Sequence, residues 1–173
     1  MNAICQRRNM ERDRLLQAVG LLSKHADVDD ESLAAELAKA GFSMLEANLL
    51  IVLVPTAFSR PLLEKAGITD FAPSISAPTR GGGRVDIPLR TWPMYREALA
   101  LAREHYQSGI LEQDTYKRIA FRSAEANALN TALKEGVDVK GAAIASTIVW
   151  PCAEDLGYEP QTPKPWLKRL FGG

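Results

Sequence analysis

The amino-acid sequence predicts an all-α fold, in which about six or seven helices form a single compact domain around a buried central apolar helix. Residues 44–58 are apolar on almost every face, but they are fewer than the about 20 apolar residues that span a bilayer. Elsewhere, apolar residues recur every three or four positions, which is typical of helices with one buried face. No pair of segments shows a convincing strand pattern.

The first two helices are indicated by apolar spacing and by their end residues. Apolar residues at helical spacing predict a helix over residues 12–24. Asp29 or Asp30 can accept a hydrogen bond from the free amides of a second helix, and Gly41 stops its pattern. We therefore expect the second helix to be short.

The central helix is predicted to begin with a capping box. Ser43 is followed three residues later by Glu46, so each side chain can satisfy a backbone amide of the other residue. Pro55 removes a backbone donor, and we expect the helix to bend or end there. A further helical turn is predicted over residues 60–66, closed by Gly67.

Residues 68–91 lose the helical pattern because they contain several prolines, serines and threonines and three consecutive glycines. We predict a long Pro/Gly loop here, with at most a short strand at residues 84–89. Pro93 then suits the first turn of a helix that ends at Gly109. A long helix over residues 114–134 and a last alanine-rich helix over residues 139–149 complete the prediction.

Composition excludes several classes of function. With 21 basic and 21 acidic residues the charges cancel, so no global field holds a nucleic-acid backbone, and we expect no nucleic-acid partner. Residues 1–14 are polar and charged, which predicts no signal peptide and a cytoplasmic location. Cys5 and Cys152 lack metal or redox spacing and are expected to be reduced thiols.

The predicted helical domain covers residues 12–157, after a flexible N-terminus at residues 1–11. Residues 158–173 are predicted to be a Pro-rich C-terminal tail with a small apolar patch beside basic residues. The patch consists of Trp166, Leu167, Leu170 and Phe171. It can cover a groove of its own domain, bind another protein, or contact a membrane surface weakly.

No catalytic motif, metal-ligand spacing or cofactor signature is visible, so we predict no metal and no cofactor. His25 is expected to cap the end of the first helix, where a cation is favoured. His105 is expected to be a half-buried structural histidine. A catalytic site assembled from distant residues stays open at this point.

Uncharged polar residues line one face of the predicted long helix. Ser123, Asn127 and Asn130 fall near one line, and Asn48 of the central helix is a natural partner for them. One interpretation is a buried hydrogen-bond network that fixes helix register, and the other is a small-molecule pocket between the two helices.

Arg80 and Arg84 flank the glycine triplet of the predicted loop. Two guanidinium groups beside a flexible backbone are a weak signal for an anion site, because both can approach a phosphate or carboxylate. A solvated loop is the alternative interpretation.

These observations lead to two functional hypotheses. The first is a non-catalytic cytoplasmic protein-interaction module, such as an adaptor, a chaperone-like protein or an inhibitor, which uses the loop and the tail to bind another protein. The second is a small-molecule or anion-binding helical protein or enzyme with a polar pocket between the central and long helices. The sequence does not indicate the oligomeric state.

Overall fold

The computed structural model describes residues 3–158, with side chains from residue 11 onward. The chain is mixed, with 59% helix and 14% strand, so the all-α prediction is wrong although helix predominates. The helices are α1 (Ala3–Lys24), α2 (Asp30–Lys39), α3 (Met44–Lys65), α4 (Pro93–Ser108), α5 (Gln113–Ala120) and α6 (Ala124–Lys134). The strands are β1 (Asp70–Pro78), β2 (Arg84–Pro88) and β3 (Ala143–Val149).

Helix α3 is the centre of the helical layer, as the sequence predicts. Its capping box is confirmed: the Glu46 amide donates to Ser43 Oγ at 3.1 Å, and the Ser43 amide donates to Glu46 Oε2 at 2.8 Å. The helix packs against α2, α4, α5 and α6. It continues through Pro55 and Pro61 to Lys65, so it does not end at Pro55. Burial on all sides outweighs the backbone hydrogen bonds that the two prolines remove.

By length and composition alone, α3 also meets the criterion for a membrane-spanning helix. However, 61% of its most apolar window is buried inside the chain. A core helix of a globular domain meets the same criterion, and the burial of α3 fits that explanation.

The three strands form one mixed sheet in the order β2-β1-β3. β1 and β2 form an antiparallel hairpin in which Ile75 lies opposite Ile87. β1 and β3 are parallel, and Ile75 lies opposite Ile148. The prediction of a long loop over residues 68–91 is therefore wrong, except for the short strand expected near residues 84–89.

Pro73 lies inside the central strand, which is unusual because proline cannot donate to a ladder. The Ser76 carbonyl accepts from the Trp150 amide at 2.9 Å, so the even-numbered residues of β1 face β3 and the odd-numbered residues face β2. The pairing with β2 stops at Ser74 opposite Pro88. Pro73 therefore faces the side where β2 has already ended, and no sheet hydrogen bond is lost.

The predicted last helix over residues 139–149 is wrong, because its second half is β3. Ile144 and Ile148 alternate with exposed residues along the strand. Ile148 packs against the main core, and Ile144 joins a smaller cluster around Leu63 and Leu129. β-branched side chains fit a pleated, half-buried surface, and here pairing with β1 overrides the helical tendency of the alanines.

The predicted long helix over residues 114–134 is also wrong, since it is divided into α5 and α6. Ser123 caps α6: its Oγ accepts from the Ala126 amide at 3.2 Å and donates to the Ala120 carbonyl at 2.7 Å. One hydroxyl therefore satisfies groups of both helices at the break.

Candidate functional site: the Tyr106 groove

The predicted polar residues do not converge on one pocket. Ser123 is the cap of α6, and Asn127 donates to the Phe121 carbonyl at 2.7 Å and the Ser123 carbonyl at 2.9 Å. Asn48 is exposed on α3. Of this predicted set, Asn130 lines a cavity between α3 and α6. Ser123 and Asn127 thus satisfy the backbone at the break between two helices.

Arg80 and Arg84 lie at the turn and on the second strand of the hairpin, and each donates at least one hydrogen bond within the chain. Arg80 donates to Asp155 at 2.9 Å, and its backbone amide donates to Glu154 at 3.0 Å. Arg84 Nε donates to Ser76 Oγ at 3.3 Å. The structure therefore gives no support to an anion site between the two guanidinium groups.

Cys152, which follows β3, belongs to the same group of contacts as Arg80 and Glu154. The Cys152 thiol donates to Glu154 at 3.1 Å. Contact with Cys152, followed by the charge of Asp155, raises the pKa of Arg80. The hydrogen bond from Cys152 and that from the Arg80 amide lower the pKa of Glu154. These contacts join the hairpin turn to the residues after β3.

The predicted patch at Trp166, Leu167, Leu170 and Phe171 lies outside the described residues.

A groove on the helical layer is an extended concave surface. Three cavities of about 410, 360 and 320 Å³ adjoin one another there, and Tyr106 lines all three. We call this surface the Tyr106 groove. Its apolar lining includes Leu62, Ala66, Tyr106, Leu111, Tyr116, Phe121, Leu129 and Leu133. Its polar lining includes Glu64, Lys65, Arg103, His105, Gln107, Glu112, Gln113, Lys117 and Asn130.

Four helices build the groove. The last turns of α3 provide Leu62 and Lys65, and the end of α4 provides Tyr106. Gly109 then adopts a left-handed conformation at φ 66°, where glycine is favoured, and α4 ends there. The chain turns from this point into α5 and α6, which form the opposite wall.

The floor of the groove is held in place by Tyr116. Its hydroxyl donates to the Phe58 carbonyl at 2.8 Å. Its ring stacks on Phe58 with centroids 4.9 Å apart and meets Tyr106 at 5.3 Å. Burial raises the pKa of Tyr116 well above its ordinary value, so the phenol stays protonated and acts as a donor. The aromatic floor is therefore fixed before any ligand arrives.

His105 lines one end of the groove and is buried, with 5% of its surface exposed. Its Nδ1 donates to the Leu101 carbonyl at 2.8 Å, since a carbonyl oxygen only accepts. In the neutral ring, Nε2 is then left as an acceptor. The expected structural role of His105 is consistent with this bond, although the ring also borders the cavity.

The charges around the groove are unevenly compensated. Glu64 accepts from Arg60 at 2.8 Å and from Arg103 at 3.0 Å. Burial acts to raise the pKa of Glu64, but these two bonds outweigh it and the pKa is lowered. Lys65 and Lys117 form no ion pair within 4.0 Å with the acidic side chains of residues 11–158. Glu112, which also lines the groove, forms no ion pair with the side chains of residues 11–158 either, so the unpaired charges of the rim are two lysines against one glutamate and the balance is positive.

A smaller cavity of about 210 Å³ lies between α1, α3 and α4. Its charged lining is largely neutralised internally, because Arg14 binds Glu46 at 3.1 Å and stacks over Phe42 at 4.6 Å. A ligand at this cavity would meet few free charges. It is therefore a weaker candidate than the Tyr106 groove.

Glu125 is a buried ionisable side chain of α6. Only 3% of its surface is exposed, and its Oε2 has no hydrogen-bond partner among the described residues. It lies in the first turn of the helix, where the helix dipole favours a carboxylate. It lines none of the cavities described above, so we assign it to the structure of the α6 terminus.

No metal cluster is found in the described part of the chain, where no group of three or more His, Cys, Asp or Glu side chains could hold an ion. No family model matches this chain, and no curated protein or solved structure matches it. The function must therefore be argued from the surfaces themselves.

Proposed function

We propose that this chain is a non-catalytic protein-interaction module that binds an acidic, amphipathic helical segment of a partner protein in the Tyr106 groove. The observation that carries the proposal is an apolar, aromatic groove whose rim bears two lysines without an ion-pair partner among the described residues. The segment predicted as a binding loop contains the β1–β2 hairpin in the structure. The hairpin turn is a less suitable binding surface than the groove, since its Arg80 is already bound to Asp155.

The shape of the groove favours a chain segment over a compact ligand. Its cavities follow one another along several helices, and each of them opens to solvent. An amphipathic helix fills such a surface with apolar residues one turn apart, as in the helix-in-groove mode of peptide recognition. Leu129 and Leu133 are spaced by one turn of α6, and 53% of the Leu133 surface is exposed. Leu133 is therefore an apolar contact that a partner helix would cover.

The charge of the rim decides the kind of segment. Lys65 and Lys117 would attract acidic residues that flank the apolar face of the partner. Glu64 contributes little opposing field, since Arg60 and Arg103 both bind it. Glu112 is the carboxylate of the groove without an ion-pair partner in residues 11–158, and the two lysines outnumber it. Charges at a rim mainly affect the association rate and selectivity, while the apolar floor supplies most of the affinity.

Two synthetic helical peptides test this proposal. They share the same leucine positions, but one carries glutamate and the other lysine on the polar face. Fluorescence anisotropy should show at least about tenfold tighter binding of the acidic peptide to the full chain, with a difference that shrinks as salt is added. Equal binding of both peptides, or tighter binding of the basic one, would contradict the proposal.

Two variants locate the binding surface. Leu133→Ser removes an exposed apolar contact of the groove, whereas Leu45→Ser removes a comparable exposed leucine at the start of α3. The first change should weaken binding of the acidic peptide about tenfold, and the second should leave it unchanged. The double variant Lys65→Glu/Lys117→Glu should reverse the preference and favour the basic peptide. If Leu133→Ser bound the acidic peptide as tightly as the Leu45→Ser control, and the double lysine variant still preferred that peptide, the groove would not be the site.

A second candidate function is binding of a small amphiphilic anion at the His105 end of the groove. The observation that favours it is that Lys117 and the His105 ring line the same cavity of about 410 Å³. A medium-chain carboxylic acid is the probe, and the His105 imidazole signals in an NMR titration are the readout. Saturable shifts that Lys117→Glu abolishes would favour this function, and no shift would remove it.

A further inference from the structure

The outer edge of β3 exposes backbone groups that the sheet does not use. The Trp150 amide donates to Ser76 and the Thr69 amide donates to the Ala142 carbonyl, so the even-numbered residues of this segment face β1. In a strand, successive residues direct their backbone groups to opposite sides. Ala143, Ala145, Thr147 and Val149 therefore direct their N–H and C=O groups away from β1, and these residues are exposed.

The two edge strands of the sheet differ in their protection against pairing. β2 has five residues and includes Arg84, Asp86 and Pro88, which are features that discourage another strand. β3 has seven residues, AIASTIV, without a charge or a proline. On the outer side of β3, no backbone hydrogen bond to the other described residues satisfies the four odd-numbered positions.

We propose that β3 pairs antiparallel with β3 of a second copy of this chain, with Ser146 at the two-fold axis. The sheets of the two copies then become one continuous sheet, and β2 remains at each outer edge. The proposal concerns a surface separate from the Tyr106 groove and does not depend on the function proposed above.

The register follows from the strand itself. Centring on Ser146 places Ala145 opposite Thr147 and Ala143 opposite Val149, in pairs that use the free backbone groups. Ile144 lies opposite Ile148 on the helical side, and β-branched cross-strand pairs stabilise a sheet. A shift by one residue would place the outward N–H and C=O groups opposite residues whose own backbone groups already bond to β1, so that register is excluded.

Ser146 provides an independent observation. Its Oγ is buried and has no hydrogen-bond partner among the described residues. A buried hydroxyl without a partner is costly. In the proposed register the two Ser146 residues lie directly opposite each other, so that one hydroxyl can donate to the other after a change of rotamer.

A second copy fits this edge better than a charged partner does. β3 contains no ionisable side chain, so an antiparallel pair brings no like charges together. Val149 has 73% of its surface exposed, and the second strand would cover part of it. The chain's own residues 159–173 are the competing occupant, and the experiments below distinguish them.

Disulfide trapping tests the register directly, in a full-length background with Cys5→Ser and Cys152→Ser. Ser146→Cys should form a disulfide-linked dimer under mild oxidation, because residues opposite in a non-hydrogen-bonded pair have Cα atoms about 4.5 Å apart. Val149→Cys is the matched control: the two residues 149 would lie about 20 Å apart, at opposite ends of the paired strands. Equal cross-linking at both positions, or none at Ser146→Cys, would overturn the proposal.

Sedimentation of the otherwise unchanged chain is the second measurement. We expect a dimer whose dissociation constant rises at least about tenfold in Thr147→Pro, since proline removes an outward donor that β1 does not use. Thr147→Val changes the same side chain but keeps the backbone donor, so this matched control should dimerise like the unchanged chain. A monomer at all concentrations, or a dimer only after deletion of residues 159–173, would overturn the proposal.

Discussion

The Tyr106 groove and the β3 edge offer different kinds of recognition. The groove is assembled from side chains of four helices, spread from Leu62 to Leu133 along the chain. The edge is one run of backbone from Ala143 to Val149. The groove selects a ligand by shape and charge, so substitutions of single side chains should change its affinity for the ligand. The edge selects a partner strand by the register of its backbone hydrogen bonds, so the loss of a backbone donor should weaken the pairing.

The largest expected effect is a difference in the free energy of unfolding, because the groove lies over buried core residues whereas the β3 edge is exposed. Phe58 is fully buried beneath the groove and stacks on Tyr116. Phe58→Ala should lower the free energy of unfolding by about 3–5 kcal/mol, because it leaves a cavity among packed side chains. Val149→Ala should change it by less than about 0.5 kcal/mol. Urea unfolding of both variants gives the comparison, and similar losses would contradict it.

The next effect concerns the wall of the groove formed by α5 and α6. Arg122 joins these helices to the α1–α2 connection by donating to the carbonyls of Ala26 and Val28, each at 2.8 Å, and to Asp30. Its side chain is 11% exposed. Arg122→Ala should lower the free energy of unfolding by about 2–3 kcal/mol, since buried carbonyls lose a charged donor.

Arg118 is the matched control for Arg122. It binds Asp27 at 2.9 Å on the surface, and both side chains are largely solvated. Arg118→Ala should change the free energy of unfolding by less than about 1 kcal/mol. Equal losses in the two arginine variants would mean that Arg122 does not fix the wall.

A smaller effect is expected for the hydroxyl that fixes the groove floor. Tyr116→Phe keeps the ring but removes the hydrogen bond to the Phe58 carbonyl. We expect a loss of about 1 kcal/mol in chemical unfolding, as is typical of one neutral hydrogen bond. An unchanged unfolding midpoint would show that the carbonyl is satisfied without Tyr116.

The smallest expected effect is that of acid pH, which should lower the stability of the helical layer without a direct effect on the β3 edge. The pKa of Glu46 is lowered from 4.5, first by the Ser43 amide, and that of Glu64 is lowered by its two arginines despite burial. A carboxyl with a lowered pKa in the folded state adds stability above its unfolded pKa, and this is lost as the pH falls below about 4.5. The melting temperature should therefore fall by a few degrees in this range.

The β3 edge has no titratable side chain, so the fraction of dimer should follow folding alone over the same range. Sedimentation and thermal melts at matched pH values provide the test. A dimer that dissociates while the fold is intact would show that charged groups outside β3 contribute to the contact.

Local signals in the sequence predicted much of the helical layer. The capping box of Ser43 and Glu46 and the helix end at Gly109 are set by neighbouring residues, and both are confirmed. The cap predicted at Asp29 or Asp30 lies at Asp29. The sheet was missed because β1 contains Pro73 and β3 is rich in alanine, and both strands depend on pairing with distant residues.

The groove could not be predicted for a related reason. Leu62, Tyr106 and Lys117 lie on three helices, and none belongs to a recognisable motif. Asn130, predicted from its place on a polar face, does line the groove, whereas Ser123 and Asn127 of the same face instead bind backbone groups at the α5–α6 break. An exposed leucine one turn after a buried one, at Leu133 and Leu129, was the available signal.

Photo-cross-linking in the native cells tests the central claim most directly. A photo-reactive phenylalanine analogue replaces Leu133 in one protein and Leu45 in the control, and the cross-linked peptides are sequenced by mass spectrometry. We predict that Leu133 captures a segment with an apolar helical face flanked by acidic residues, and that the acidic probe peptide competes with it. Capture of a basic segment, or the same products from both positions, would contradict binding in the Tyr106 groove.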